Sequence, residues 1–391
     1  VSPSSTPRPA ATLVGAPDTA AAVGWLRLRT VAVAAALAVG LVALGGCTGL
    51  GATGARASGG AVDTTPLGEL TIPADPRALT GPSTARLAQD EIEPVATDPK
   101  PSMPATVTDA QGTKVTVTDT SRILALDLYG STSRIVYDLG LGDRVVGRDV
   151  SSGFPEIAGK PLVTRSGHDL DAEAILELAP TVIITDTSLG PWDVILQMRD
   201  AGIPVVVVDS RRDLDDVGTL VHEVADALGV PQEGTALAQR TDREIKAEVA
   251  AIAGVVPREA SDRPRIVFLY VRGQAGVYYL FGEGSGADSL IDAIGGVDVA
   301  TQIGWKGMRP VTAEGLVKAA PDVILMMTKG LESVGGVDGL LEKVPAVAQT
   351  PAGQHRRIVD MDDTQILSFG PATAHVLDAL TRAVYAPDGS R

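Results

Sequence analysis

Tyr270 and Arg272 stand two residues apart at the end of the apolar run Arg265-Ile-Val-Phe-Leu-Tyr, so a strand there turns both side chains to one face. His168 ends the turn Arg165-Ser-Gly-His, after the short strand pattern Pro161-Leu-Val-Thr and before a helix that opens near Asp171. A phenolate is a hard anionic donor suited to ferric iron, and an imidazole is a neutral nitrogen donor. Together they fill the two axial positions of a porphyrin-bound Fe(III). A phenol ordinarily ionises near pH 10, so coordination must supply most of the drive, and a neighbouring arginine adds to it. Plainer readings fit the same residues. A histidine in a turn before a helix often caps it or sits at the surface, and a tyrosine at a strand end can be core; residue types alone leave these open.

The elements that must position these side chains come in two similar sets. Glu173-Ala-Ile-Leu-Glu-Leu-Ala-Pro-Thr-Val-Ile-Ile and Glu314-Gly-Leu-Val-Lys-Ala-Ala-Pro-Asp-Val-Ile-Leu share a glutamate, an apolar helical stripe, a proline seven residues on and a buried-strand run. Short β-branched runs at Ile123–Leu126, Val182–Thr185 and Val205–Val208 alternate with helical patterns, which implies parallel sheets covered on both faces. The same alternation resumes at Arg265. Between the halves, a pattern from about Gln232 to Ala253 predicts one long amphipathic rod. The expected fold class is therefore α/β, with two Rossmann-like lobes joined by one long helix. Paired lobes of this kind bind ligands in the crevice between them, and a helix linker limits hinge motion. Glu173 and Glu314 take matching places in the first helical turns. Favourable placement in the helix dipole explains them at under about 1 kcal/mol each; docking onto arginines of a membrane partner is the sharper reading.

The N-terminal region differs in kind. Trp25-Leu-Arg-Leu-Arg-Thr precedes 16 residues without charge, Val31 to Gly46, which is short of the roughly 20 needed to span a bilayer. Basic flank, apolar core and small residues read as a secretory signal over residues 1–46. Cys47, the only cysteine, follows Leu44-Gly-Gly as in a bacterial lipobox, where that cysteine is acylated; a retained transmembrane anchor is the alternative. Residues 47–103, rich in Gly, Ala, Thr, Ser and Pro, are expected to form a lipid-anchored flexible tether, with some order near Asp75 to Pro94. A hairpin around Asp109-Ala-Gln-Gly then opens the N-terminal lobe, residues 104–230, followed by the connecting helix, 231–260, and the C-terminal lobe, 261–391.

Without residues 1–46 the chain carries 30 basic against 47 acidic side chains, a net of −17. That charge disfavours nucleic acid and anionic lipid headgroups as partners. Motifs of catalysis are missing as well. Gly282-Glu-Gly284-Ser-Gly286 is not a dinucleotide fingerprint, His222-Glu223 lacks the second histidine of a zincin, and no G-x-S-x-G elbow occurs. His355 and His375 read as structural.

Over about residues 104–385 the chain resembles the substrate-binding lipoproteins of ABC importers for iron complexes and cobalamin, with Asp143-Arg-Val-Val-Gly-Arg, Leu178-Ala-Pro-Thr-Val-Ile-Ile and Ala319-Ala-Pro-Asp-Val-Ile-Leu as markers. Gly167-His168-Asp and Phe268-Leu-Tyr270-Val-Arg272-Gly look like the actinobacterial hemin-binding branch, the HmuT type. The resemblance implies a class III periplasmic-binding-protein fold and no catalysis. It implies His168 and Tyr270 as axial ligands of heme iron, Arg272 bonded to the phenolate, and Glu173 and Glu314 docking on an ABC permease with its ATPase. It places the protein on the extracytoplasmic face of the membrane, held by a lipid on Cys47. With 13 aromatic residues in all, little ring stacking is expected, and Met308 with aliphatic side chains is expected to line the porphyrin plane. The same fold binding a ferric siderophore or cobalamin is the alternative; an exported α/β hydrolase is a more distant one.

Overall fold

A computed structural model describes residues 62–387. The expected signal segment and Cys47 lie outside the described residues. The first lobe is built on parallel strands Ile123–Leu126, Val182–Thr185 and Val205–Val207 in that spatial order. Their near-continuous apolar sequence follows from burial on both faces. Ile123, Ala125, Val182 and Ile184 meet Val221, Val224 and Leu228 on one side. Leu124, Leu126 and Ile183 meet Ile175, Ile195 and Met198 on the other.

The second lobe has a seven-stranded mixed sheet. Its central strand, Arg265–Arg272, pairs in parallel with Val323–Met327 through its first half. Its second half pairs antiparallel with Val277–Phe281, which places Tyr279 opposite Tyr270 and Phe281 opposite Phe268. The outer strand Met308–Pro310 then pairs with Val277–Phe281, setting Met308 opposite Phe281.

The connecting helix runs from Pro231 to Val255, 25 residues, or about 37 Å at 1.5 Å per residue. Proline at its first position supplies a preset φ where no N–H partner is needed. Its first turns bury Leu237 and Ala238 in the first-lobe core. Its later turns bury Ile245 and Ile252 in the core of the second lobe.

A second segment also ties the lobes together. Residues 62–103, expected from composition to belong to a flexible tether, are folded onto both. Ser83–Ala85 forms the edge strand of the second sheet, parallel to Ile358–Met361. The buried Arg357 holds it in place by donating to Gly81 O at 3.1 Å and Ser83 Oγ at 2.9 Å. Past residue 86 the chain reaches the first lobe, where Arg134 Nη1 donates to Asp90 Oδ1 at 2.7 Å and Val95 N donates to Asp138 O at 2.8 Å. Three-residue strands and extended Pro-rich backbone carry no periodicity, so the order expected near Asp75 to Pro94 came with no sign of its full extent or its partners. The lobes are thus joined by the helix and by a second chain crossing.

The internal repeat extends to its capping chemistry. Asp171 and Thr312 cap the two helices, which start at Ala172 and Ala313, so Glu173 and Glu314 both take the second helical position. Each helix ends at an alanine before proline with positive φ, +43° at Ala179 and +44° at Ala320. In both repeats an arginine beside the neighbouring strand satisfies the exposed carbonyls of that turn. Arg122 Nε donates to Leu178 O and Ala179 O at 3.0 Å. Arg265 donates to Ala319 O at 2.7 Å and Ala320 O at 3.2 Å. These bonds compensate a backbone conformation that L-residues otherwise avoid at a cost of roughly 1–2 kcal/mol.

Candidate functional site

A cavity of about 560 Å³ opens between the lobes, within the roughly 300–1,000 Å³ typical of small-molecule sites. His168 and Ser151 reach it from the first lobe, and Tyr270, Arg272 and Met308 from the second. The three residues singled out for iron chemistry therefore border one space.

His168 sits at the tip of a small hairpin, Thr164–Arg165 paired with Asp169–Leu170, rather than directly after a sheet strand. Gly167 supplies the φ of +84° that this tight turn needs. The imidazole is half-buried. Its Nδ1 lies 3.4 Å from Ser151 Oγ, and Nε2 has no hydrogen-bond partner among the described residues. Burial first, then the positive charge of Arg272, pushes His168 below the ordinary histidine value, so the neutral, metal-competent form is favoured.

Tyr270 is stacked 6.0 Å from Phe281. The Arg272 guanidinium lies over its ring, 4.5 Å from the centroid. Arg272 donates to Asp363 Oδ2 at 2.8 Å and to Val271 O at 3.0 Å. The expected bond from Arg272 to the Tyr270 hydroxyl is not among the hydrogen bonds of the described residues; the cation meets the ring face instead.

Sequence reasoning missed several of the lining residues. Tyr129, Tyr279, Phe281, Met327, Lys329 and Asp363 also border the cavity. Four of the chain's 13 aromatic side chains are thus gathered here, a concentration that the low overall content did not suggest. The alternation in Val277-Tyr-Tyr-Leu-Phe held the signal for Tyr279 and Phe281, once their strand is set in antiparallel register with the Tyr270 strand.

Beneath the first-lobe wall lies a buried charge network. Arg212 Nη2 donates to Asp127 Oδ2 at 3.0 Å and Asp186 Oδ2 at 2.7 Å, and its guanidinium lies 5.1 Å from the Tyr129 ring centroid. Asp127 accepts the backbone N–H groups of Tyr129, Ser131 and Thr132, fixing the loop that carries Tyr129. Asp149 does the same for Ser151 and Ser152. Burial together with the Asp127 charge pushes Asp149 up to about 7, and the same two causes push Asp186 up to about 6. Glu173 and Glu314 are exposed on helix first turns away from this cavity's lining.

Residues 127–364 match the family model described as periplasmic binding protein. The chain belongs to that family. Its fold is the two-lobed, helix-linked class, and the family's description is that of binding proteins. A crystal structure of the heme-binding protein HmuT is 42% identical, with a TM-score of 0.76, covering 80% of this chain and 99% of that one. HmuT has also been solved with one histidine, one tyrosine or one arginine replaced by alanine, the arginine two residues after the tyrosine. The ABC transporter substrate-binding lipoprotein YvrC of Bacillus subtilis (strain 168), itself uncharacterised, is 26% identical over 73% of this chain and 86% of its own length. A cobalamin-binding protein of Halobacterium salinarum is 27% identical over 78% of this chain and 81% of its own.

Proposed function

We propose that this protein is the hemin receptor of an ABC importer. It captures hemin in the cleft with His168 and Tyr270 on opposite faces of the iron and hands it to a permease driven by its ATPase. The observation that carries this reading is the meeting of these two side chains, one from each lobe, at a single cavity. Two protein donors leave the remaining coordination positions to be filled by the ligand itself, as a porphyrin's four nitrogens do. Tyr129, Tyr279 and Phe281 offer aromatic faces, and Met308 and Met327 offer polarisable ones, to a flat macrocycle. Likeness to HmuT supports the same ligand class.

In this reading Arg272 stabilises the phenolate formed when iron binds, and Met308 packs on the macrocycle. Glu173 and Glu314, at equivalent places in the two repeats, dock on the permease. A signal over residues 1–46 exports the protein, and a lipid on Cys47 anchors it at the outer face of the cytoplasmic membrane. Likeness to a lipoprotein supports the anchor.

Titration of the mature protein with hemin, followed by absorbance, tests the reading. A sharp Soret band that shifts and weakens in Tyr270→Ala is expected. The second reading, a corrinoid ligand, is favoured by the cobalamin-binding relative. Saturable binding of cobalamin with no Soret change on adding hemin would replace the first reading with it.

A further inference from the structure

Among the residues that line the cleft, three carry formal charge: Arg272, Asp363 and Lys329. Two of them are matched to each other. Asp363 Oδ2 takes the Arg272 guanidinium at 2.8 Å, and its other oxygen accepts the Lys329 backbone N–H at 2.9 Å. Both Asp363 oxygens are therefore engaged, and neither forms an ion pair with the Lys329 ammonium. Lys329 is exposed and has no carboxylate within ion-pair distance among the described residues.

A cation at the mouth of a largely apolar cavity, beside two donors for one metal, has an evident complement. We propose that Lys329 binds a carboxylate of the ligand and so fixes which edge of the ligand points toward the second lobe. Resting on the hemin reading, this makes Lys329 a specificity residue for porphyrins bearing free carboxylates, with the propionate edge directed at the helix Thr328–Val334. Lysine acts here as a compact point charge on a flexible stem, which suits two propionates of variable geometry better than a fixed fork.

Esterification separates this role from packing. Hemin and hemin dimethyl ester share the iron and the macrocycle and differ only in the carboxylates. Wild-type protein should bind both with the same Soret signature and prefer the free acid by about three- to fivefold, the size of one solvent-exposed ion pair. The preference should shrink as salt is raised from 20 to 500 mM. Lys329→Ala should erase it by weakening hemin alone, Lys329→Glu should invert it, and Lys329→Arg should restore it. A Lys329→Ala variant that still prefers free-acid hemin as strongly as wild type overturns the proposal while leaving the hemin reading intact. Failure of the wild type to bind either compound would remove both.

Discussion

The Arg272 guanidinium covers the face of the Tyr270 ring at 4.5 Å while Asp363 holds its far side at 2.8 Å. Spacing alone places the two side chains on one strand face but cannot tell whether the cation meets the hydroxyl or the ring. The difference matters because a ring-face cation stabilises an electron-rich phenolate without competing for the oxygen that iron would take.

Removing that cation should therefore weaken hemin binding but not change the ligands. Arg272→Ala is expected to lose about 3- to 30-fold in affinity, the range of a partly desolvated cation–π contact, with the ferric absorption pattern preserved. Unchanged affinity in a fluorescence-quenching titration would show that the stacked arginine is only structural.

The half-buried His168 should stay neutral below the pH at which an ordinary histidine charges. Protons compete with iron for the imidazole, and a lowered value moves that competition to lower pH. The imidazole's share of the pH dependence, read as the difference in slope between wild type and His168→Ala, is thus expected to be absent from pH 8 to about 6.5 and to appear below it. In the ligand-free protein, an NMR titration of the His168 ring should give a midpoint under 6.5; a midpoint above it would contradict the electrostatics described for the cleft.

Asp149 offers a test on stability. Burial and Asp127 push it up to about 7, above its value in the unfolded chain. The folded state therefore holds this proton over a window where the unfolded state has lost it, and stability from this group declines as pH rises from about 4 to 7. Asp149→Asn should lower stability overall by about 1–3 kcal/mol, because an amide N–H would face the Asp127 N–H, yet flatten that slope. Urea midpoints measured at pH 5 and 7.5 would check it, and a variant with the wild-type slope would refute it.

How far the sequence discloses this molecule depends on the range of each interaction. The paired repeats, the long helix and the strands at Ile123, Val182 and Arg265 were legible because one-dimensional periodicity reports burial directly. The Arg122 and Arg265 caps, the Ser83–Ala85 edge strand and the Asp127–Arg212–Asp186 network were not, because each joins residues far apart in the chain through polar contacts that leave no period. Within the cleft, the sequence pointed to His168, Tyr270 and Arg272 by chemical type. It missed Asp363 and Lys329, whose relevance depends on the Arg265–Arg272, Val323–Met327 and Ile358–Met361 strands lying side by side.

Glu173 and Glu314, exposed and equivalent in the two repeats, should matter only in the assembled importer. The double variant Glu173→Ala, Glu314→Ala is expected to bind hemin as wild type does while uptake by cells falls at least severalfold. Uptake at the wild-type rate would assign both carboxylates to the helix dipole alone.

The central claim is that one iron is held by His168 from the first lobe and Tyr270 from the second. Resonance Raman spectroscopy of the hemin complex, excited in the phenolate-to-iron charge-transfer band, tests it most directly. Phenolate modes on a six-coordinate ferric centre are expected in wild type, with their loss in Tyr270→Phe and a five-coordinate phenolate complex in His168→Ala. Phenolate modes that survive Tyr270→Phe, or a coordination number that His168→Ala leaves unchanged, would contradict it.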